Sequence, residues 1–246
     1  MPIRLSPTVK IIAIICVAVF LLQHTLERFA GVPFSMIFGL SPWDFLMGYK
    51  FWQIFTYPFL HADALHLFFN LLMIAFIGSD IEWQWGRKKF LSVLFAGSIT
   101  AGFLYLILQA VISSGLSVRT PLIGISGSVY AMLAVYGMLF GERVMLFMML
   151  FPLKAKHFIW VLAGMELMTS LFSGRGGLSS AAHLGGFAAG WAFVYLEKRM
   201  RNRASILPFG NRSIGNRKPK KTPQHLKLVV NKDPDSDEDS KPKTWH

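Results

Sequence analysis

The sequence predicts an all-α, polytopic membrane protein in which a bundle of six helices crosses the bilayer. Of its 246 residues, 53% are hydrophobic and only 15% are charged, whereas about a quarter of the residues of soluble domains are charged. Apolar stretches recur at about the 20-residue length that a spanning helix needs. The charges are also uneven, because 13 of the 25 Lys and Arg residues lie from Lys198 onward. This distribution indicates a charge-poor membrane body with a basic, solvated end.

The apolar stretches define six predicted spans: 9–28, 62–80, 90–112, 122–141, 157–173 and 180–197. The first could instead be a signal peptide, because its apolar part, 11–22, is short and follows Arg4 and Lys10. No cleavage site with small residues follows it, which favours an uncleaved helix.

Positive residues alternate between the predicted loops and indicate the direction of each helix. Lys and Arg are frequent before span one, between spans two and three, between spans four and five, and after span six. Each of the other loops holds a single one: Lys50, Arg119 and Arg175. The positive-inside rule therefore places both termini in the cytoplasm.

The segments outside the spans divide the chain into a membrane domain, 1–199, and a tail, 200–246. The first loop, 29–61, contains aromatic side chains that suit the headgroup region: Trp43, Tyr49, Trp52 and Tyr57. We therefore predict that it lies in the outer interface. The apolar segment 144–152 is too short to span and is predicted to be interfacial or buried. The tail gains Asn, Pro, Lys and Asp and is predicted to be mostly disordered and cytoplasmic.

The net charge of +12 does not by itself indicate nucleic-acid binding. Basic residues beside apolar segments are normally topology signals, and no aromatic-and-basic nucleic-acid module is present. The predicted environment is the lipid bilayer. The single cysteine, Cys16, excludes an intramolecular disulfide and a cysteine-rich metal site.

Polar side chains in spans two, four and six are predicted to lie at one depth, in the outer half of the bilayer. Span two carries His66 and Asn70, which are four residues apart and so share a face. Span four carries Ser126 near its outer end, with Tyr130 one turn below on the same face. Span six carries His183 near its outer end. Polar groups within a membrane are costly and tend to be functional or paired.

Small residues favour a close approach of spans four and six. On span six, Gly186 and Gly190 share the face of the histidine, and a small-xxx-small pattern lets two backbones approach closely. Span four offers two small residues, Ala134 and Gly137, along the face of its serine. Close packing would bring the serine hydroxyl and the imidazole within hydrogen-bond reach.

These residue types suit the transfer of an acyl group to a serine nucleophile. A serine hydroxyl is a weak nucleophile until a nearby imidazole takes its proton. The tetrahedral intermediate needs preorganised donors, which His66, Asn70 and the backbone N–H of Ser126 can supply. The flanking residues Gly124 and Gly127 give the backbone freedom and remove bulk around the hydroxyl.

These residues resemble the rhomboid family of intramembrane serine proteases. The resemblance extends from about Trp52 to Trp191 and is carried, in the family's order, by HADALHLFFN at 61–70, GISGSVYAM at 124–132 and AHLGGFAAG at 182–190. It implies that Ser126 is the nucleophile and His183 the general base of a catalytic dyad. One departure is that Trp52 is followed by Gln53 where many rhomboids have Trp-Arg, a change that we expect to leave the chemistry intact.

The resemblance also implies the remaining roles. His66, Asn70 and the Ser126 amide would form an oxyanion hole, and Tyr130 would pack against the His183 ring. No cofactor or metal is implied, and the substrates would be transmembrane helices cut near their outer ends. We expect an integral protein of a bacterial inner membrane, with the site facing the periplasm or exterior.

Four other polar residues are interpreted as structural. Glu166, inside span five, is a functional candidate as an intramembrane carboxylate, but the family works as a dyad, so a buried hydrogen-bonding role is expected. His61 lies off the His66 face and near the interface, where a structural or hydration role is expected. Asp63 is expected to cap span two, and Glu82 is expected to anchor the cytoplasmic interface.

Two other functions are compatible with a polytopic protein. An inactive rhomboid-like protein would bind transmembrane clients without cutting them, but such relatives usually lack the serine or the histidine. A transporter would spread polar residues through the membrane depth and carry an internal repeat. Here the polar residues gather in the outer half, apart from a few such as Gln109, and no repeat is found.

Overall fold

The structure is a computed structural model that describes residues 4–112, 119–147, 151–173 and 175–206. These residues are mostly helical. Within these ranges the α-helices are, in order, α1 (Pro7–Phe29), α2 (Phe34–Phe38), α3 (Pro42–Leu46), α4 (Gln53–Thr56), α5 (Ala64–Met73), α6 (Ser79–Trp85), α7 (Arg87–Ile112), α8 (Ser126–Leu139), α9 (Ala155–Phe172) and α10 (Arg175–Ile206). A 3₁₀ turn, Tyr57–Phe59, follows α4, and a π-helical segment, Ile74–Gly78, joins α5 to α6.

Three helical stretches of the described chain are long and apolar enough to cross a membrane by length and composition: Pro7–Phe29, Ala64–Trp85 and Arg87–Val111. They coincide with the first three predicted spans. Helix α8 is apolar but shorter, at 14 residues, and α9 and α10 lie where spans five and six are predicted. The count of six crossing helices stays a prediction.

The structure adds a small antiparallel sheet to the predicted all-α fold. Strand β1 (Val144–Phe147) pairs with β2 (Phe151–Lys154) in the apolar segment before α9. An apolar run too short to span can pair its backbone groups within a hairpin instead. The start of the predicted tail, 200–206, is helical because α10 continues to Ile206, and 207–246 lies outside the described residues.

Helix α8 packs against α7 and α10 through glycines that bring the backbones together. A Cβ atom on Gly186 would lie 2.1 Å from the carbonyl oxygen of Gly127, and one on Gly190 would lie 2.1 Å from that of Ala131. On the other side, a Cβ atom on Gly97 of α7 would lie 2.5 Å from the Ala131 Cβ. These approaches are too short for any side chain, so the packing depends on glycine.

The close approach of α8 and α10 occurs as predicted, but at different partners. Gly186 and Gly190 meet Gly127 and Ala131 rather than Ala134 and Gly137. A Cβ atom on Gly137 would instead lie 2.3 Å from the Ile159 Cδ1 atom of α9. The contact with α10 therefore lies nearer the start of α8 than predicted.

The first loop packs on the segment that leads into α8. The backbones of Leu40 and Leu122 exchange hydrogen bonds of 2.9 and 2.8 Å. The Tyr57 carbonyl accepts from the Gly124 N–H at 2.9 Å, and its hydroxyl donates to the Ser98 carbonyl of α7 at 2.6 Å. The loop therefore fixes the chain just before Ser126.

Gln53, the departure from the Trp-Arg pair, is fully buried in this loop. Its side chain accepts from the Ser41 N–H at 3.2 Å and donates to the carbonyls of Met36 and Ile37 at 3.3 Å each. A neutral amide thus satisfies three backbone groups of the loop, at a position where an isolated charge would be costly.

Glu82 occupies a different environment from the predicted interface anchor. It is only 8% exposed and accepts hydrogen bonds from the hydroxyls of Ser6 and Thr8, at the start of α1. The Ser6 N–H also donates to the Ser79 hydroxyl at 3.2 Å. Glu82 therefore joins α6 to the N-terminus of α1, where a negative charge is stabilised by the helix dipole.

Candidate active site

The Ser126 hydroxyl lies 2.7 Å from His183 Nε2, joining the first residue of α8 to the N-terminal part of α10. Ser126 is 8% exposed and the His183 side chain 20% exposed, so the pair is largely shielded but reachable. A neutral imidazole whose Nε2 carries no proton accepts the hydroxyl proton in this geometry. This is the distance at which an imidazole can take the proton of a serine hydroxyl.

Gly124 shapes the turn that places Ser126 at the start of α8. Its φ angle is +113°, which L-residues with a side chain rarely adopt. A Cβ atom there would also lie 2.7 Å from His66 Cε1. Gly127, by contrast, faces α7 and α10, since its Cβ would lie 2.5 Å from the Ala101 Cβ. Its small size serves helix packing rather than access to the hydroxyl.

Helix α5 carries His66 and Asn70 one turn apart, and the His66 ring borders the serine. The Cβ position of Gly124 lies 2.8 Å from His66 Nε2 and 3.7 Å from Ser126 Oγ, so the imidazole and the hydroxyl border one small space. Asn70 is 6% exposed, and its buried Nδ2 finds no acceptor among the described residues. As the first residue of α8, Ser126 also has an N–H without an intrahelical acceptor.

The start of α5 is held as the sequence predicts for Asp63. Its carboxylate accepts from the His66 N–H at 2.8 Å and so caps the helix. His61 is fully buried before this cap, with its ring 5.1 Å from that of His66. Burial and the neighbouring His66 lower the pKa of His61 to about 4, so its ring is neutral near pH 7. This environment agrees with a structural role.

Tyr130 and Glu166 contact the His183 ring at its face and at its Nδ1 edge, respectively. The Tyr130 ring is stacked on the imidazole, with centroids 4.8 Å apart and planes 7° from parallel. Glu166 Oε1 of α9 lies 3.1 Å from His183 Nδ1 and also accepts from the Tyr130 hydroxyl. Sequence reasoning placed Glu166 in a buried hydrogen-bonding role but missed its contact with His183. The available signal was depth, because Glu166 lies in the outer half of its predicted span.

Long apolar helices and a partly buried contact between a serine hydroxyl and an imidazole are together the features of a helical integral membrane protein with a polar site. The rhomboid domain model matches residues 48–199, more than half of the chain. The chain therefore belongs to the rhomboid family, and with its long apolar helices it is an integral membrane protein.

Curated relatives agree with this family. The proteins named "Rhomboid protease GlpG" of Klebsiella pneumoniae subsp. pneumoniae strain MGH 78578 and of Klebsiella pneumoniae strain 342 are each 27% identical over 199 residues. The alignment covers 78% of this chain and 63% of each relative, so the chain spans less than two thirds of their length.

Proposed function

We propose that this protein is an intramembrane serine endopeptidase that uses Ser126 as nucleophile and His183 as general base. The observation that carries the proposal is the 2.7 Å contact between Ser126 Oγ and His183 Nε2 in a shielded site. Family membership and the names of the relatives support the same reaction.

In the proposed reaction, Oγ attacks the scissile carbonyl carbon while His183 Nε2 takes the hydroxyl proton. The carbonyl oxygen becomes an oxyanion, which accepts hydrogen bonds from His66, Asn70 and the Ser126 N–H. The C–N bond then breaks, and the imidazolium gives its proton to the leaving amine. A water molecule, deprotonated by His183, hydrolyses the acyl-enzyme and restores the serine.

The proposed substrates are transmembrane segments of other membrane proteins, cut near their outer ends. The alternating Lys and Arg distribution supports six spans with both termini in the cytoplasm. In that orientation Ser126, in the first turn of α8, opens toward the outer side. The bacterial relatives support a place in the inner membrane. Apart from water, the proposed reaction uses only side chains and backbone of the chain.

A fluorophosphonate probe tests the nucleophile directly. We expect purified wild-type protein in detergent to be labelled and to cut a panel of model transmembrane substrates, because an activated serine attacks the phosphorus of the probe and displaces fluoride. Ser126→Ala should lose both reactions while the protein stays inserted. The matched control is Ser128→Ala, which removes a buried hydroxyl two residues away that bonds Ser98 and the Leu94 carbonyl.

The outcomes separate the proposal from its main alternative. Labelling and cleavage by the wild type and by Ser128→Ala, with neither in Ser126→Ala, support the protease. If the wild type is neither labelled nor able to cleave while it retains a model transmembrane helix, the chain is a rhomboid-like binding protein.

A further inference from the structure

Glu166 contacts the His183 ring on the side opposite to Ser126. The three side chains lie on three helices, α8, α10 and α9, and they form one line of contacts: Oγ to Nε2 at 2.7 Å, then Nδ1 to Glu166 Oε1 at 3.1 Å. The Glu166 side chain is only 16% exposed. The imidazole is therefore held at both ring nitrogens.

The chemistry of the imidazole gives this contact a consequence. A neutral histidine carries one proton, so Nε2 accepts the serine proton only when Nδ1 is the protonated nitrogen. A carboxylate is an acceptor only, and at 3.1 Å it favours the Nδ1–H tautomer. Once His183 has taken the proton, the same carboxylate faces a positive ring in a shielded site and stabilises it.

Glu166 is itself held in place. The Tyr130 hydroxyl donates to Oε1, the same oxygen that faces His183. Tyr130 thus stacks on the face of the His183 ring. It also bonds Glu166, which contacts the Nδ1 edge of that ring.

We propose that Glu166 is a positioning residue that fixes the tautomer and orientation of His183, giving a Ser126–His183–Glu166 triad in place of a dyad. This inference rests on the proposed protease function and deepens it. It makes α9 a part of the active site.

The kinetic test compares Glu166→Gln and Glu166→Ala with the wild type on one transmembrane substrate. We expect kcat to fall by about 100-fold or more in both variants while KM changes little, because the base is misplaced but the substrate surface is intact. The matched control is Glu27→Gln, since Glu27 is another partly buried carboxylate, whose Oε1 accepts from the N–H and hydroxyl of Ser35. Its kcat should stay within about twofold of the wild type.

The ¹⁵N spectrum of the histidine ring gives a readout that needs no cleavage. We expect the His183 signals of the wild type to report the Nδ1–H tautomer, and those of Glu166→Ala to report a mixture. A wild-type kcat in both Glu166 variants, or an unchanged His183 tautomer, overturns the triad. If the wild type does not cleave at all, the protease function fails, and the tautomer measurement still decides whether Glu166 positions His183.

Discussion

The Asn70 side chain presents a buried Nδ2 donor that has no acceptor among the described residues. Leaving a buried donor unpaired costs free energy unless a ligand provides the acceptor. Asn70 lies one helical turn after His66 on α5, so it shares a helix face with the side chain that borders the Ser126 hydroxyl. We therefore interpret the unpaired amide as a donor reserved for a substrate oxygen.

Asn70→Ala should lower kcat by about 10- to 1,000-fold, since this is the effect of removing one oxyanion donor. KM and thermal stability should change little, because Nδ2 loses no acceptor of the described chain. Both are measured with purified protein in detergent. Gln84→Ala, an exposed amide in α6, serves as the control. Cleavage at the full rate by Asn70→Ala would remove Asn70 from the oxyanion hole.

At the same scale, sequence reasoning grouped the Ser126 and His183 side chains that contact each other in the structure, but it missed other contacts. His66, Asn70, Ser126 and His183 could be grouped because each lies near the outer end of a predicted span. The contact of Glu166 with His183 depends on how α9 is rotated, and hydropathy does not report rotation. The roles of these residues in catalysis stay predictions.

At the scale of the elements, the interface of α8 with α10 controls the geometry of the site. Gly190 approaches the Ala131 carbonyl so closely that even one methyl group would force the helices apart. The spacing of Gly186 and Gly190 predicted close packing of the two helices, but the partner residues predicted on α8 were the wrong ones. Several small residues occur on α8, and only the packed structure distinguishes Ala131 from Ala134.

Gly190→Ala should destabilise the bundle by about 1–3 kcal/mol, the usual cost of overpacking. It should also reduce cleavage, because separating α10 from α8 lengthens the Ser126–His183 contact. Unfolding in mixed detergent and kcat on one substrate measure the two effects. Gly164→Ala on α9 is the matched control, since its Cβ would meet nothing within 4 Å. Equal stability of Gly190→Ala and Gly164→Ala would contradict this dependence on glycine.

The strand pairing of β1 with β2 and the packing of the first loop could not be predicted from the sequence. Residues 144–152 are apolar but too few to span, which excluded a crossing helix without indicating that the segment would pair as strands. The aromatic residues of 29–61 predicted an interfacial loop. The bonds that hold it to α7 and to the segment before Ser126 join residues far apart in sequence, and such pairings leave no local periodicity.

At the scale of the whole molecule, the direction of each helix decides which side of the membrane the site faces. Arg87, at the start of α7, and Ser173, just after α9, are both exposed and lie in loops of opposite predicted sides. The buried Cys16 is the single cysteine, so replacing it gives a background in which one introduced thiol reports one position.

In a Cys16→Ala background, Ser173→Cys should react with a membrane-impermeant maleimide in intact spheroplasts. Arg87→Cys and Ser213→Cys, the latter in the tail, should react only after the membrane is permeabilised, because basic segments stay in the cytoplasm. Each variant is labelled in both conditions, and the permeabilised sample controls for reactivity. Labelling of Ser213→Cys from outside would contradict an even number of spans with both termini inside. Protection of Ser173→Cys would place the end of α9 away from the outer surface. Ser126 and His183 would then not meet a substrate from the outer side.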